Sequence, residues 1–383
     1  MSKSGSFILI GLGIIILQFL QNSWIPLNTE NARAFAEEVS GPSAELGDND
    51  FRISDMGPNG DLNFQPMGIP AVAYNSTNNE YLIVWVSDDN TSPLINGEIE
   101  VFGQRINAAT GAEVGTNDFR ISDMGTNGDV FFGVTSVAVV YNPTNNEYLV
   151  IWAGDDNTSP LVNGELEIFG QRLNASNGAE IGTNDFRISD MGTNGSVSFG
   201  ANFPQVAFNS TDNEYLVVWQ GDDNTPPLVD NELEIFGQRL NATTGNEIGT
   251  NDFRISDMGS NGDTNFGASF PDVAYSTFLN QYAIVWRGDD NTGSLVNNEF
   301  EVFLQRLTSS GVETGTNDQR ISVMGVDGDV SFQADSPAIS FSSDFSHEYL
   351  IVWSGEDSIN GENEIYGLRV SDGGTFRRFG ISD

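Results

Sequence analysis

The spacing of the tryptophans constrains this chain more than any other feature. Trp85, Trp152, Trp219, Trp286 and Trp353 are each 67 residues apart, and each ends a block such as "EYLVVW". Three further blocks recur with the same period, namely "FPQVAFN" before the tryptophan block, "ELEIFGQRL" after it, and then "NDFRISDMG". Self-similarity at a fixed period is typical of repeat architectures, in which each unit buries its apolar face against a neighbour. The chain is therefore predicted to contain five equivalent units.

Each block has the composition of a β-strand. The blocks are short, rich in Val, Ile, Phe, Tyr and Trp, and bounded by Gly, Asn, Asp, Ser and Pro. "EYLVVW" is apolar at odd and even positions, which predicts a strand covered on both faces, whereas "DFRIS" alternates and predicts a half-exposed outer strand. No 3.6-residue apolar period is sustained beyond the N-terminal segment, so helices are not expected there. Five units of four antiparallel strands predict an all-β fold, a five-bladed β-propeller over residues 44–383.

The order of the blocks resembles that of β-propeller repeat proteins of the exported bacterial type. In each unit a Pro-led inner strand, an aromatic-rich second strand, a third strand and a short outer strand follow one another. The resemblance covers about residues 44–383 and implies the fold, not an activity. An open row of sheets, as in a solenoid, is the alternative.

The two ends of the repeat leave the closure of the ring open. The outer-strand block occurs a sixth time if Phe379–Asp383 is counted, and Ala44–Phe51 already matches the end of a unit. Arg52–Ser54 is a candidate for the strand that closes the ring, which would leave the C-terminal copy unused. Alternatively, the chain comes from a longer protein with more blades.

The first 36 residues have the features of a secretory signal peptide. Lys3 precedes the apolar run Phe7–Leu20, and Ala34–Ala36 offers a small-residue cleavage site. The run has 14 residues, fewer than the roughly 20 of a membrane-spanning helix; an uncleaved anchor is the alternative. The sequence thus predicts a signal peptide at 1–36, a linker at 37–43, and a protein at the cell surface or outside the cell that does not span the membrane after cleavage.

The charge balance excludes several classes of function. The chain has 15 Lys and Arg against 54 Asp and Glu, a formal net charge of −39. A surface this negative repels phosphate backbones, so nucleic acid is not an expected partner. There is no cysteine and His347 is the only histidine, which argues against disulfides, thiolate catalysis, zinc sites and histidine triads.

Acidic residues recur in the connection between the second and third strands. This connection and the one between blades are predicted to emerge on the same face of the propeller. Carboxylates on a flexible loop suit calcium, although the loops match the EF-hand pattern poorly, and a solvated acidic loop is the other interpretation. Calcium is the only cofactor expected, and the candidate ligands are Asp88, Asp89, Glu98, Asp155, Asp156, Glu165, Asp222, Asp223, Glu232, Asp289, Asp290 and Glu299.

Near-identical units favour a multivalent binder over an enzyme. Several weak, equivalent sites on one face give avidity toward a glycan or a protein surface. The sequence therefore predicts a non-catalytic recognition or adhesion module, with a structural spacer as the first alternative. A glycoside hydrolase is the remaining alternative, because five-bladed propellers include such enzymes. That chemistry needs two carboxyl groups in unlike environments, and near the inner strands only Asp272 and Asp335 are candidates.

Overall fold

The computed structural model describes residues 51–58, 60–89, 91–343, 347–356 and 362–371, together with the backbone of 376–380. This part of the chain contains twenty β-strands and no helix. It therefore contains no helical segment that is long and apolar enough to cross a membrane. The predicted signal peptide, the linker and the predicted start of the propeller at residue 44 lie outside the described residues. The compact unit that holds the strands begins at Arg52.

The strands form five separate antiparallel sheets of four, each in chain order. The first blade is β1 (Pro66–Asn75), β2 (Glu80–Asp88), β3 (Ile99–Asn107) and β4 (Glu113–Arg120). The second is β5 (Gly133–Asn142), β6 (Glu147–Asp155), β7 (Leu166–Asn174) and β8 (Glu180–Arg187), and the third is β9 (Gly200–Asn209), β10 (Glu214–Asp222), β11 (Leu233–Asn241) and β12 (Glu247–Arg254). The fourth is β13 (Gly267–Ser276), β14 (Gln281–Asp289), β15 (Glu301–Thr308) and β16 (Glu313–Arg320), and the fifth is β17 (Ala334–Ser342), β18 (Glu348–Gly355), β19 (Glu364–Ser371) and β20 (Phe376–Gly380).

These sheets are the blades of a five-bladed β-propeller, which confirms the predicted fold class. The first strands of successive blades, β1, β5, β9, β13 and β17, contact one another and so line the axis. The fourth strands lie at the rim.

The C-terminal copy of the outer-strand block completes the fifth blade. β20 pairs with β19, and Phe379 lies opposite Gly367 as Phe119 lies opposite Gly103 in the first blade. Residues 52–54 belong to no strand. The suggestion that Arg52–Ser54 closes the ring is therefore wrong.

The periodic tryptophans are core residues. Trp152, Trp219 and Trp286 are fully buried, and Trp85 and Trp353 are nearly so. Apolar clusters join each blade to the next along the chain. A single four-stranded sheet buries too little apolar surface to be stable alone, so the stacking of neighbouring blades through these clusters stabilises the fold.

Burial is uneven where the last blade meets the first. Tyr81 of the first blade is 39% exposed, although its counterparts Tyr148 and Tyr215 are fully buried. On the other side, Leu350 of the fifth blade is 42% exposed, whereas its counterpart Leu82 is fully buried. The junction between the fifth and first blades is thus less covered than the other junctions.

The recurring nonamer fastens each blade to the next one. In the copy that follows β8, the N–H of Asp190 donates to Asp252 Oδ2 of the third blade at 2.9 Å. The N–H of Gly192 donates to Asp223 Oδ1, also of the third blade, at 3.0 Å. Met191 lies in the apolar cluster that contains Trp219. We call this segment and its copies the latch; its members are residues 52–57, 120–125, 187–192, 254–259 and 320–325.

A glycine ends the latch for a steric reason. Gly192 has a φ of +67°, and a Cβ at this position would lie 2.4 Å from the ring of Phe199. Only glycine combines this backbone conformation with this close approach. The requirement explains why the motif ends in glycine in all five copies.

Candidate functional site

The acidic loops and the connections between blades lie on one face, as predicted. Strand register shows this directly, because Gly200 at the start of β9 pairs with Asp222 at the end of β10. The second blade repeats the arrangement with Gly133 and Asp155. We call this side of the propeller the loop face.

Most of the twelve predicted metal ligands are buried, so the interpretation of a solvated loop does not describe them. The aspartates that end the second strands are 2–7% exposed, and the glutamates that precede the third strands are not exposed. Asp89 and Asp290, which follow two of these strands, are also buried. The buried aspartates at the strand ends are Asp88, Asp155, Asp222 and Asp289, and the glutamates are Glu98, Glu165, Glu232 and Glu299.

The remaining aspartates of these loops accept hydrogen bonds from the latch. Asp156 Oδ1 accepts the N–H of Gly125 at 3.0 Å, and Asp290 Oδ1 accepts that of Gly259 at 3.0 Å. Asp89 and Asp223 make the same contact with their latches. Across the described ranges, no group of three or more His, Cys, Asp or Glu side chains is placed to hold a metal ion. Metal binding by the full set stays a prediction.

A second set of carboxylates lies beneath the latch. Glu167 of β7 is not exposed; Arg187 and Ser189 both contact its carboxylate, and the Met191 N–H donates to it at 3.0 Å. Burial raises the pKa of Glu167 to about 7, although Arg187 opposes the shift. Arg187 and Glu167 thus form an ion pair in which the glutamate is fully buried.

Other buried carboxyls have raised pKa values, which predicts a protein that is more stable in mild acid. Burial raises the pKa values of Asp185, Asp252 and Asp318 to about 7. An acid whose pKa is higher in the folded state contributes stability below its unfolded pKa, and that contribution is lost as pH rises through the folded value.

We therefore expect the melting temperature to fall between about pH 4.5 and pH 8. At about 1 kcal/mol for each of the three aspartates, the loss is about 3 kcal/mol, or roughly 4 °C for a fold of this size. Calorimetry at constant ionic strength measures it, and a Tm that is flat or rises over this range contradicts the prediction.

The starts of the inner strands form a different kind of surface. The outer strands β8 and β12 have the same sequence, "EIGTNDFR", whereas the five inner strands differ from one another near their first residues. These segments meet around the axis near the loop face. Because the five units differ in sequence here, they can form a single asymmetric site. We call these segments the axial mouth: residues 68–70, 135–136, 202–204, 269–272 and 335–337.

The axial mouth is strained and partly apolar. Phe203, Phe270 and Ser336 have φ values of +52°, +52° and +50°, a region that bulky residues rarely adopt. The rings of Phe203 and Phe270 lie 4.8 Å apart and are tilted by 58°. Phe203 is 38% exposed. Strained residues of this kind persist where surrounding structure holds them, and they cluster at functional sites.

Asp272 bridges the fourth and fifth blades within this mouth. Its Oδ2 accepts the N–H of Ile339 at 2.7 Å, and its Oδ1 accepts that of Val273 at 2.8 Å. Burial raises the pKa of Asp272 to about 6, although both hydrogen bonds favour the ionised form. Asp272 therefore retains its proton at higher pH than an ordinary aspartate. The other blades carry Ala71, Ala138, Gln205 and Ala338 here.

Asp335 has a different environment. Its side chain is 50% exposed, and its Oδ1 lies 3.9 Å from Nε of Arg287. The guanidinium of Arg287 lies 3.5 Å from the centre of the Phe300 ring, which fixes the cation beside the carboxylate. The structure thus places in the mouth one carboxyl whose two oxygens accept backbone N–H groups and one carboxyl whose side chain is half exposed. Sequence reasoning named both residues but undervalued them, because it counted acids and could not see their surroundings.

The mouth also offers polar groups for a ligand. Asn202 Oδ1 accepts hydrogen bonds from Ser136 Oγ at 2.9 Å and Thr135 Oγ1 at 3.2 Å. By contrast, two cavities of about 280 and 390 Å³ lie at the outer edge, between neighbouring blades. Their linings correspond at the repeat period, for example Arg172 with Arg105, so they are packing grooves of the repeat.

Comparisons with solved structures return propeller glycosidases. The α-L-arabinofuranosidase of Fusarium graminearum from glycoside hydrolase family 93, in complex with arabinobiose, has a TM-score of 0.52 and 11% identity, and the match covers 86% of this chain and 85% of that chain. An α-L-arabinofuranosidase from Fusarium graminearum in complex with an iminosugar inhibitor has a TM-score of 0.50 and 10% identity, and the match covers 85% of this chain and 84% of that chain. An exo-1,5-α-L-arabinanase from a bovine ruminal metagenomic library has a TM-score of 0.45 and 9% identity, and the match covers 83% of this chain and 98% of that chain. At these identities the likeness establishes the fold.

No protein-family model matches the chain. No curated protein matches it either. The comparisons nevertheless correct the functional prediction from the sequence. The two matches with TM-scores of 0.52 and 0.50 are α-L-arabinofuranosidase structures, so the preference for a non-catalytic recognition or adhesion module, and for a protein that is not an enzyme, is not retained. The comparisons favour the glycoside hydrolase, which was the last of the alternatives from the sequence.

Proposed function

We propose that the protein is a glycoside hydrolase whose reaction centre is the axial mouth. The observation that carries the proposal is the pair Asp272 and Asp335, two carboxyl groups of the same mouth in unlike environments. Glycoside hydrolysis uses one carboxylic acid to protonate the leaving oxygen and one carboxylate as nucleophile or base. Pairs of carboxyls whose environments differ in this way mark the two roles.

The environments assign the roles. Asp272 is the general acid, because burial raises its pKa to about 6 and keeps it protonated in mild acid. Asp335 is the nucleophile or base, because it is half exposed and lies beside the fixed cation Arg287. Phe203 and Phe270 offer an apolar platform for a sugar ring.

The substrate is inferred to be a neutral glycan. The chain has a formal net charge of −39, which disfavours anionic sugars at the surface. The fold is shared with an arabinofuranosidase that was solved with arabinobiose, so α-L-arabinosides and arabinan oligosaccharides are the first substrates to test. Export of the protein, which would give it access to such glycans, stays a prediction.

The test is release of sugar by residues 37–383 from a panel of aryl glycosides and neutral oligosaccharides. We expect hydrolysis that is greatest in mild acid and falls as pH rises through about 6, because Asp272 then loses its proton. Absence of hydrolysis across arabinosides, galactosides and other neutral glycosides would sink the proposal.

A further inference from the structure

Each of the first four blades buries an aspartate and a glutamate at the two ends of its acidic loop. In the second blade, Asp155 is 7% exposed and Glu165 is not exposed. Charged side chains are rarely buried unless a cation or hydrogen bonds compensate them. Within the described residues, none of these eight carboxyls forms an ion pair with an arginine. Their compensation must be sought elsewhere.

Both carboxyls of a blade hold the same turn. Strand register places Asp155 opposite Leu166, the residue after Glu165. Asp155 Oδ2 accepts the N–H of Gly164 at 2.5 Å, and Glu165 Oε2 accepts that of Val162 at 3.0 Å. The two negative groups therefore converge on one short segment. Burial raises the pKa of Asp155, and the nearby negative charges of Asp156 and Glu165 raise it further.

One oxygen of each aspartate lacks a hydrogen-bond donor. The buried atoms without a partner are Oδ1 of Asp88, Asp155, Asp222 and Asp289, and the same holds for Oε1 of Glu98 and Glu299. A buried carboxylate oxygen without a donor and beside a second negative charge is costly. The aspartate oxygen lacks a hydrogen-bond donor in all four of these blades, so this is a feature of the repeat.

We propose that each of these Asp–Glu pairs binds one divalent cation of the calcium type. The unpartnered aspartate Oδ1 and one carboxylate oxygen of the neighbouring glutamate provide two ligands, and peptide carbonyls of the loop and water complete the shell. That glutamate oxygen has no donor in Glu98 and Glu299, whereas Oε1 of Glu165 and Glu232 accepts the N–H of Gly195 and Gly262. Calcium accepts such hard oxygen ligands in irregular geometry. The third acidic residue of each loop is left out of the pair, because it has no buried oxygen without a partner; Asp156 Oδ1, for example, accepts the N–H groups of Gly125 and Asn157. The predicted set of twelve thus reduces to four pairs.

The first experiment uses the full chain after chelator treatment, with calcium chloride as the probe. We expect uptake of close to four calcium ions per chain in equilibrium dialysis. The melting temperature should rise with millimolar calcium, because at 100 times its dissociation constant each ion shifts the unfolding equilibrium about 100-fold. No uptake, or an equal rise with magnesium or with sodium at matched ionic strength, overturns the proposal.

Substitutions locate the ions. Asp155→Asn keeps an oxygen for the Gly164 N–H but removes the charge, so uptake should fall by one ion. Asp156→Asn is the matched control in the same loop, and its uptake should equal that of the wild type even if its stability is lower. If Asp155→Asn retains full uptake, or Asp156→Asn loses as much, the assignment is wrong. These readouts are independent of hydrolysis, so they can fail without affecting the proposed reaction.

Discussion

Replacing Asp335 with asparagine is expected to lower glycoside hydrolysis by about 100- to 10,000-fold, the range for loss of a positioned catalytic carboxylate. The amide is nearly isosteric, so the melting temperature should change little at this half-exposed site. Steady-state kinetics on an aryl α-L-arabinofuranoside measures the effect. Added azide or formate should restore part of the rate, which loss of a purely structural carboxylate would not allow.

Asp329→Asn is the matched control for this variant. Asp329 lies six residues earlier, in the connection that leads to β17, and is exposed, and its Oδ1 accepts the N–H of Ser331 at 3.0 Å. Its hydrolysis rate should be that of the wild type. Asp272→Asn should lose less activity on substrates with a good leaving group, since these need little acid assistance. Equal rates for Asp335→Asn and the wild type would remove Asp335 from the reaction.

Arg254→Ala is expected to be strongly destabilising. The Arg254 guanidinium contacts Glu234, which is not exposed and also binds Ser256 and the Met258 N–H. Removing the cation leaves a buried carboxylate uncompensated, which costs about 3–5 kcal/mol. Burial already raises the pKa of Glu234 to about 8. The decrease in the free energy of unfolding should therefore be largest near pH 9. It should fall to about 1–2 kcal/mol near pH 5, where the Glu234 carboxyl is protonated and only hydrogen bonds are lost.

Arg52→Ala removes the arginine at the equivalent position of another copy of the repeat, where the side chain is exposed. The Arg52 side chain is 62% exposed and pairs with Asp55, which is 48% exposed. Such a pair contributes about 0–1 kcal/mol. Urea unfolding of both variants at pH 5 and pH 9 gives the comparison. A pH-independent loss for Arg254→Ala, or equal losses for the two variants, would contradict the role assigned to the buried glutamate.

The sequence predicted the architecture because period and alternation are properties of the chain itself. The tryptophan spacing gave the number of blades, and the pattern of "EYLVVW" gave the buried second strand. The partners of the nonamer could not be predicted in the same way. A hydrophobic pattern shows that Met191 is buried, but it does not show that Asp190 and Gly192 bind the next blade.

The candidate site was harder to predict for a related reason. Asp272 is an ordinary aspartate in the sequence, and its raised pKa comes from burial between two blades that are joined only in the folded state. The acidic loops looked more functional because they repeat. The structure shows that repetition serves contacts between units, whereas the asymmetric mouth arises where the repeats diverge.

The latch has a consequence for how such a chain can change its length. Each of the first three units offers the same backbone donor to its successor, as Asp123 with Asp185, Asp190 with Asp252 and Asp257 with Asp318 illustrate. An in-frame duplication or deletion of one 67-residue unit among these three therefore preserves the hydrogen bonds between neighbouring units. Recombination between copies can thus alter the width of the central opening while the local chemistry of each joint is preserved.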